Sequence, residues 1–209
     1  MTNQQIVLRG GRLIGSATAR DVAISGGAIA AVGKASAGGS ETFVDVGGLL
    51  ISPGFVDVQI NGGFGHDFTS EPASIWSVGE RLRTQGVTAF LPTLVSTDLE
   101  RIDEARRVIA SGPPPGYRGA VAWGWHVEGP FLAPGRVGAH DPSKLRLPSP
   151  DLVDDWRPDT GVAMVTLAPE LPGALETIAA LTSRGVVVAM GHSDATYAEA
   201  VAGIEAGAR

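Results

Sequence analysis

The 209-residue sequence contains no cysteine. Disulfide staples, zinc ribbons and thiolate catalysis are thereby excluded, and any metal must be held by histidine, aspartate or glutamate. A reducing cytoplasm is the compartment expected. No apolar run approaches the length of a membrane span, and the opening MTNQQIVLRG lacks a basic segment followed by a long apolar one, so neither secretion nor insertion is expected. Clustered Lys and Arg are missing too. With a formal net charge of -6 at pH 7, neither a nucleic acid nor an acidic membrane surface is an expected partner. No G-x-G-x-x-G or P-loop stands between a strand and a helix, which removes the usual nucleotide fingerprints. A small-molecule substrate is what these absences leave.

What is present is 44% hydrophobic residues, enough for a sizeable core. Two textures divide them. Up to about residue 50 the chain gives short β-prone runs broken by glycine, with Gly26-Gly27 supplying a tight hairpin, and this stretch reads as a small antiparallel β element. From ISPGF onward apolar strands alternate with amphipathic helices. The strands are expected at 54–61, 87–93, 120–129, 162–170 and 186–194. Helices are expected at 73–85, from a Thr97/Glu100 capping box onward, at 173–184 ending at Gly185, and from TYAE at 196–199 to about Gly207. The Pro-rich linker over 130–160 should hold only a short helix near Leu152, Val153 and Trp156.

Strand-helix repetition with nearly continuous apolar strands implies a parallel sheet covered by helices. Polar residues recur at the strand C-terminal ends: Gln59 and Asn61, Thr93, Glu128, Glu170 and His192. That is the rim on which barrel enzymes build their sites, so a TIM-type (β/α) barrel is expected over an open doubly wound sheet. The row Asp57, Gln59, Asn61 alternates as a strand face would and is expected to point into the barrel mouth. Only about five of eight units are present, which should leave sheet edges and apolar surface exposed.

The chemistry concentrates in WHVEGPF and AMGHSDAT. Glu128 and His192 end different strands, and a carboxylate with an imidazole suits Zn²⁺ or Fe²⁺. Two ligands fall short of the usual three. Each residue also has an ordinary reading: Glu128 as a loop-capping or salt-bridging group, His192 as a loop residue, His126 as either a supporting group behind the site or a ligand, and His66 as a solvated or loop-packing residue. The run DLVDD reads as a solvated helix face, and the tryptophans as packing.

The phrases ISPGFVDVQINGG, HVEGPFL, GAHDP, VTLAPE and GHSDAT, in this order and over nearly the whole chain, resemble those of the N-acetylglucosamine-6-phosphate deacetylase family of the amidohydrolase superfamily. The His-Xaa-His of other amidohydrolases is replaced here by Gln59-Ile60-Asn61, which resembles the single-metal type. The resemblance implies an incomplete (β/α)8 barrel over residues 53–209 with a small β-rich domain over 1–52. It implies one divalent ion, zinc first with iron or another possible, held by Glu128 and His192. His140 would be catalytic, polarising the acetamide carbonyl and touching substrate, and Ala139 would meet substrate through its backbone. The reaction implied is deacetylation of N-acetylglucosamine 6-phosphate to glucosamine 6-phosphate and acetate, within amino-sugar metabolism, by a cytoplasmic homodimer when full length. A further histidine ligand and a catalytic aspartate are expected beyond Arg209, so this chain alone should be inactive or nearly so. Two alternatives stand beside it: another amidohydrolase acting on a cyclic amide, and a non-catalytic truncated relative that binds a ligand or partner.

Overall fold

The computed structural model describes residues 5–33 and 41–209, so the first four residues of the opening stretch lie outside the described residues. The chain divides into two compact units, Met1–Pro53 and Gly54–Arg209.

In the first unit, β1 (Ile6–Leu13), β2 (Ala19–Ser25) and β3 (Ala28–Gly33) form an antiparallel meander. The β2–β3 turn rests on Gly26 and Gly27 at φ 60° and 79°, the doubly left-handed backbone that a two-residue hairpin needs. The sheet is not wholly antiparallel, as the sequence led one to expect. β4 (Thr42–Asp45) and β5 (Leu50–Ile51) return along the other edge of β1 in its own direction and pair parallel to it. Val7, Val22 and Ala23 are its buried centre.

The second unit carries the parallel sheet. β6 (Phe55–Ile60) is followed by a minimal two-residue ladder of β7 (Gly62–Gly63) and β8 (His66–Asp67), and then by α1 (Ile75–Thr84). β9 (Val87–Leu94), α2 (Leu99–Ala110), β10 (Val121–Ala122) and β11 (Trp125–Glu128) come next. β12 (Val162–Leu167), α3 (Ala174–Ser183), β13 (Val187–Met190) and α4 (Tyr197–Glu205) complete it. β6, β9, β11, β12 and β13 are parallel neighbours in that order. The expected strand at 120–129 is two, because Gly124 at φ 126° turns the backbone between β10 and β11.

β9 is a nearly continuous apolar run, and the four residues of β11 are all buried, as strands with a neighbour on both edges of a covered parallel sheet are. Phe68, Phe90, Trp125, Leu94 and Ile178 are fully buried in the resulting core, and the indole N–H of Trp125 donates to Ala105 O on α2 at 2.7 Å. The outer strands differ. Among the described residues β6 pairs only with β9, and Phe55 (66%) and Val58 (50%) are exposed, as is Val187 (45%) on β13. The capping box expected at Thr97/Glu100 is not formed. Asp98 precedes the helix without a side-chain cap, its carboxylate being taken by Lys144 Nζ at 2.6 Å. At α4 the box does form, with Thr196 and Glu199 reciprocally bonded. The stretch from 130 to 160 holds only short 3₁₀ turns, among them Pro150–Val153. Among the described residues no helix is long and apolar enough to cross a membrane.

Candidate metal centre

Three elements bring the candidate residues together. Glu128 is the last residue of β11, its side chain only 11% exposed. His192 follows β13 by two residues, and its Nε2 lies 3.1 Å from Glu128 Oε1. His140 ends the loop after the Pro134–Arg136 turn and turns its Nε2 toward Glu128 Oε2 at 3.9 Å. The two imidazoles meet edge to face with centroids 4.7 Å apart. One donor atom from each of the three lies within 4.8 Å of the others.

The local backbone is built for this meeting. Gly129 sits at φ 85°, and a Cβ there would fall 2.2 Å from Ser96 Oγ, so only glycine lets β11 end beside the β9 loop. His192 itself has φ 52°, a left-handed conformation that costs a non-glycine residue about 1–3 kcal/mol. Hydrogen bonds on every side hold it there. Ala133 N–H donates to His192 O at 2.9 Å, and Glu170 accepts from Ser193 Oγ at 2.7 Å and from Asp194 N–H at 2.6 Å.

The protonation pattern tests whether a cation fits. His192 Nδ1 faces Arg136 O at 2.8 Å, and since a carbonyl only accepts, Nδ1 carries the proton. A neutral His192 therefore turns a bare Nε2 lone pair on a carboxylate oxygen 3.1 Å away. Two acceptors in contact repel unless a proton or a cation lies between them. Ligand atoms each about 2.1 Å from one zinc-sized ion sit roughly 3.4 Å apart, so the pair is already near ligand spacing. An outer carbonyl fixing the tautomer of a ligating histidine is the usual support of such sites. The donor set, one carboxylate with imidazole, can hold a divalent metal. Burial lowers the pKa of His140, with Glu128 opposing the shift and His192 adding to it, which favours the neutral imidazole.

No family model matches the chain. Individual proteins do. Over 174 residues it is 41% identical to the N-acetylglucosamine-6-phosphate deacetylase of Bos taurus, a match covering 78% of this chain and 42% of the bovine protein. The chain is a relative of the N-acetylglucosamine-6-phosphate deacetylases. It spans less than half the length of the curated relatives it matches. Among solved structures, the deacetylase of Pasteurella multocida superposes with a TM-score of 0.86 at 25% identity, over 98% of this chain and 55% of that one. A mutant deacetylase of Mycobacterium smegmatis, in complex with N-acetyl-D-glucosamine-6-phosphate, gives 0.80 at 31% identity over 100% of this chain and 54% of its own.

Other expected site residues fare differently. Ala139 is exposed in the loop immediately before His140. His126 is fully buried with both nitrogens engaged: Nδ1–H donates to Val58 O at 3.1 Å, so Nε2 accepts from Thr166 Oγ1 at 2.7 Å. It braces β6 against β12 and has no lone pair to give a metal. The row Asp57, Gln59, Asn61 does not run as a regular ladder, because the register of β6 on β9 shifts between Asp57 and Ile60. Asp57 Oδ1 instead accepts from Gln59 N–H at 3.1 Å, and Gln59 is exposed. Asn61 Nδ2 is buried without a hydrogen-bond partner among the described residues. His66 pairs with Glu71 at 2.9 Å in its glycine-rich loop. Sequence reading missed Ser96 and the supporting role of Glu170. The signal for Ser96 was a hydroxyl directly after the run LPTLV, at the same strand-end level as Glu128.

Proposed function

We propose that the chain is the metal-binding part of a deacetylase that hydrolyses N-acetylglucosamine 6-phosphate to glucosamine 6-phosphate and acetate. The likeness to deacetylases over 78% of the chain supports the substrate. The observation that carries the chemistry is the facing pair Glu128 Oε1 and His192 Nε2, buried at strand ends with no proton donor between them in the neutral tautomer. In this reading Glu128 and His192 hold one divalent ion, zinc before iron, with a third ligand and a catalytic aspartate supplied by residues outside this chain.

Bound there, the ion supplies Lewis-acid polarisation, worth several kcal/mol of charge stabilisation at a carbonyl. His140 donates from Nε2 to the oxygen of the acetyl group as negative charge develops on it. The exposed main chain at Ala139 lies against the sugar. Arg136 O and Glu170 keep His192 from turning away. The second unit is the leading part of a (β/α)8 barrel, and the first a small β domain; the whole enzyme is a cytoplasmic homodimer.

Proton NMR of N-acetylglucosamine 6-phosphate with the chain extended to the end of its reading frame tests the reading. The acetyl methyl signal should give way to free acetate. An unchanged phosphorylated sugar alongside opening of a cyclic amide would overturn it.

A further inference from the structure

Three histidines surround the candidate centre, and their Nδ1 atoms do not meet the same partner. His192 and His126 each face a carbonyl oxygen, Arg136 O at 2.8 Å and Val58 O at 3.1 Å. His140 faces a main-chain amide, Ser96 N, at 3.0 Å. A carbonyl can only accept and an amide N–H can only donate, so the third histidine must have its proton on the other nitrogen.

We propose that Ser96 is a positioning residue: its main-chain N–H occupies His140 Nδ1 and fixes the imidazole as the Nε2–H tautomer, which makes His140 a hydrogen-bond donor to the site and not a metal ligand. The cluster of three candidate ligands then resolves into two lone-pair donors, Glu128 and His192, and one N–H. This rests on the proposed deacetylase reading only for what the N–H is for; the tautomer stands on geometry alone. His140 is 3% exposed at its side chain, so no water competes for Nδ1. A neutral imidazole carries one N–H, and with Nδ1 accepting, that N–H is at Nε2, 3.9 Å from Glu128 Oε2. A donor there meets an oxygen bearing developing charge; a bare nitrogen would repel it.

One competing arrangement must be disposed of. Ser96 Oγ is 2.9 Å from the same Nδ1 and could accept a proton from it. That would bring an Nδ1–H against the Ser96 N–H and strand a buried amide, Ser96 being 5% exposed. Leaving such a donor unsatisfied is the expensive choice. The hydroxyl instead shares the lone pair or points past it, in space that the missing side chain of Gly129 leaves open.

The test is a long-range ¹H–¹⁵N correlation spectrum of the imidazoles in the 209-residue chain, as wild type and as Ser96→Ala, each without and with added Zn²⁺. Ser96→Ala removes the hydroxyl and keeps the amide. The expected result is His140 protonated at Nε2 in both proteins, with Zn²⁺ shifting His192 Nε2 and leaving His140 Nε2 protonated. Nδ1 protonation in the wild type, a switch of tautomer in Ser96→Ala, or deprotonation of His140 Nε2 by Zn²⁺ would each overturn the proposal. An amide-to-ester replacement at residue 96 deletes the N–H and should release the Nδ1–H tautomer; an unchanged spectrum counts against the proposal as well. The deacetylase reading fails separately. An Nε2–H His140 in an extended chain that releases no acetate rejects the function and keeps the positioning, whereas acetate release with His140 protonated at Nδ1 does the reverse.

Discussion

Gly129→Ala tests the close approach on which the centre is built. The residue stands at φ 85°, where an L side chain costs roughly 1–2 kcal/mol. Its Cβ would also fall 2.2 Å from Ser96 Oγ and 3.2 Å from Leu132. Overpacking of that kind adds about 1–3 kcal/mol, so the variant should be destabilised by about 2–5 kcal/mol. Ser96→Ala alone gives up a hydroxyl contact to His140 and should cost only about 0.5–1.5 kcal/mol. The double variant removes the atom that the new methyl strikes. It should therefore be more stable than the sum of the two single effects by about 1–3 kcal/mol, a coupling of the size seen for residues in contact. Urea unfolding of the four proteins, compared at a common m-value, measures it. Additivity within about 0.5 kcal/mol would refute the claim that Ser96 Oγ is what excludes a side chain at 129.

The other predictions concern single groups. His126→Ala should destabilise the protein by about 2–4 kcal/mol in urea unfolding, because Val58 O and Thr166 Oγ1 lose their buried partner. Burial lowers the pKa of His126, with the Val58 bond and Glu128 opposing, so the folded state binds its proton less readily than the unfolded state. That contribution is intact above the ordinary value of 6.5 and is lost as the pH falls below it, so the wild type should lose stability there more steeply than the Ala variant. Tyr117, whose hydroxyl donates to Ala120 O at 2.5 Å, has its pKa pushed up to about 12 by burial and by Glu80, so its ultraviolet titration should lie well above that of an exposed tyrosine. Thr196→Ala removes the reciprocal cap of α4 and should cost about 1 kcal/mol by thermal unfolding.

How far the sequence spoke for the structure depends on where each signal resides. Local signals carried the helices: Gly185 after α3 and TYAE at the start of α4 act within one turn, and the helices end and begin there as read. The Asp98 exception has a long-range cause, since Lys144 lies 46 residues away and no window around α2 contains it. The strands were legible as apolar runs, but the break at Gly124 and the register shift within β6 were not. Both are set by what neighbouring strands offer: His126 and Thr93 take up the polar groups of Val58 and Ile60 that a regular ladder would have used. Glu128, His140 and His192 were singled out from phrases, and the structure gathers them. Their protonation was beyond the sequence. It depends on whether Nδ1 meets Ser96 N or Arg136 O, partners 44 and 56 residues away.

The most direct measurement is acetate release from N-acetylglucosamine 6-phosphate as a function of added Zn²⁺, for the 209-residue chain, for the chain extended to the end of its reading frame, and for the extended chain carrying Glu128→Ala or His192→Ala. The account predicts Zn²⁺-dependent release by the extended chain alone, abolished by either substitution, and little or none from the 209 residues. Release that is indifferent to Zn²⁺, or that survives the loss of Glu128 and of His192, would contradict it.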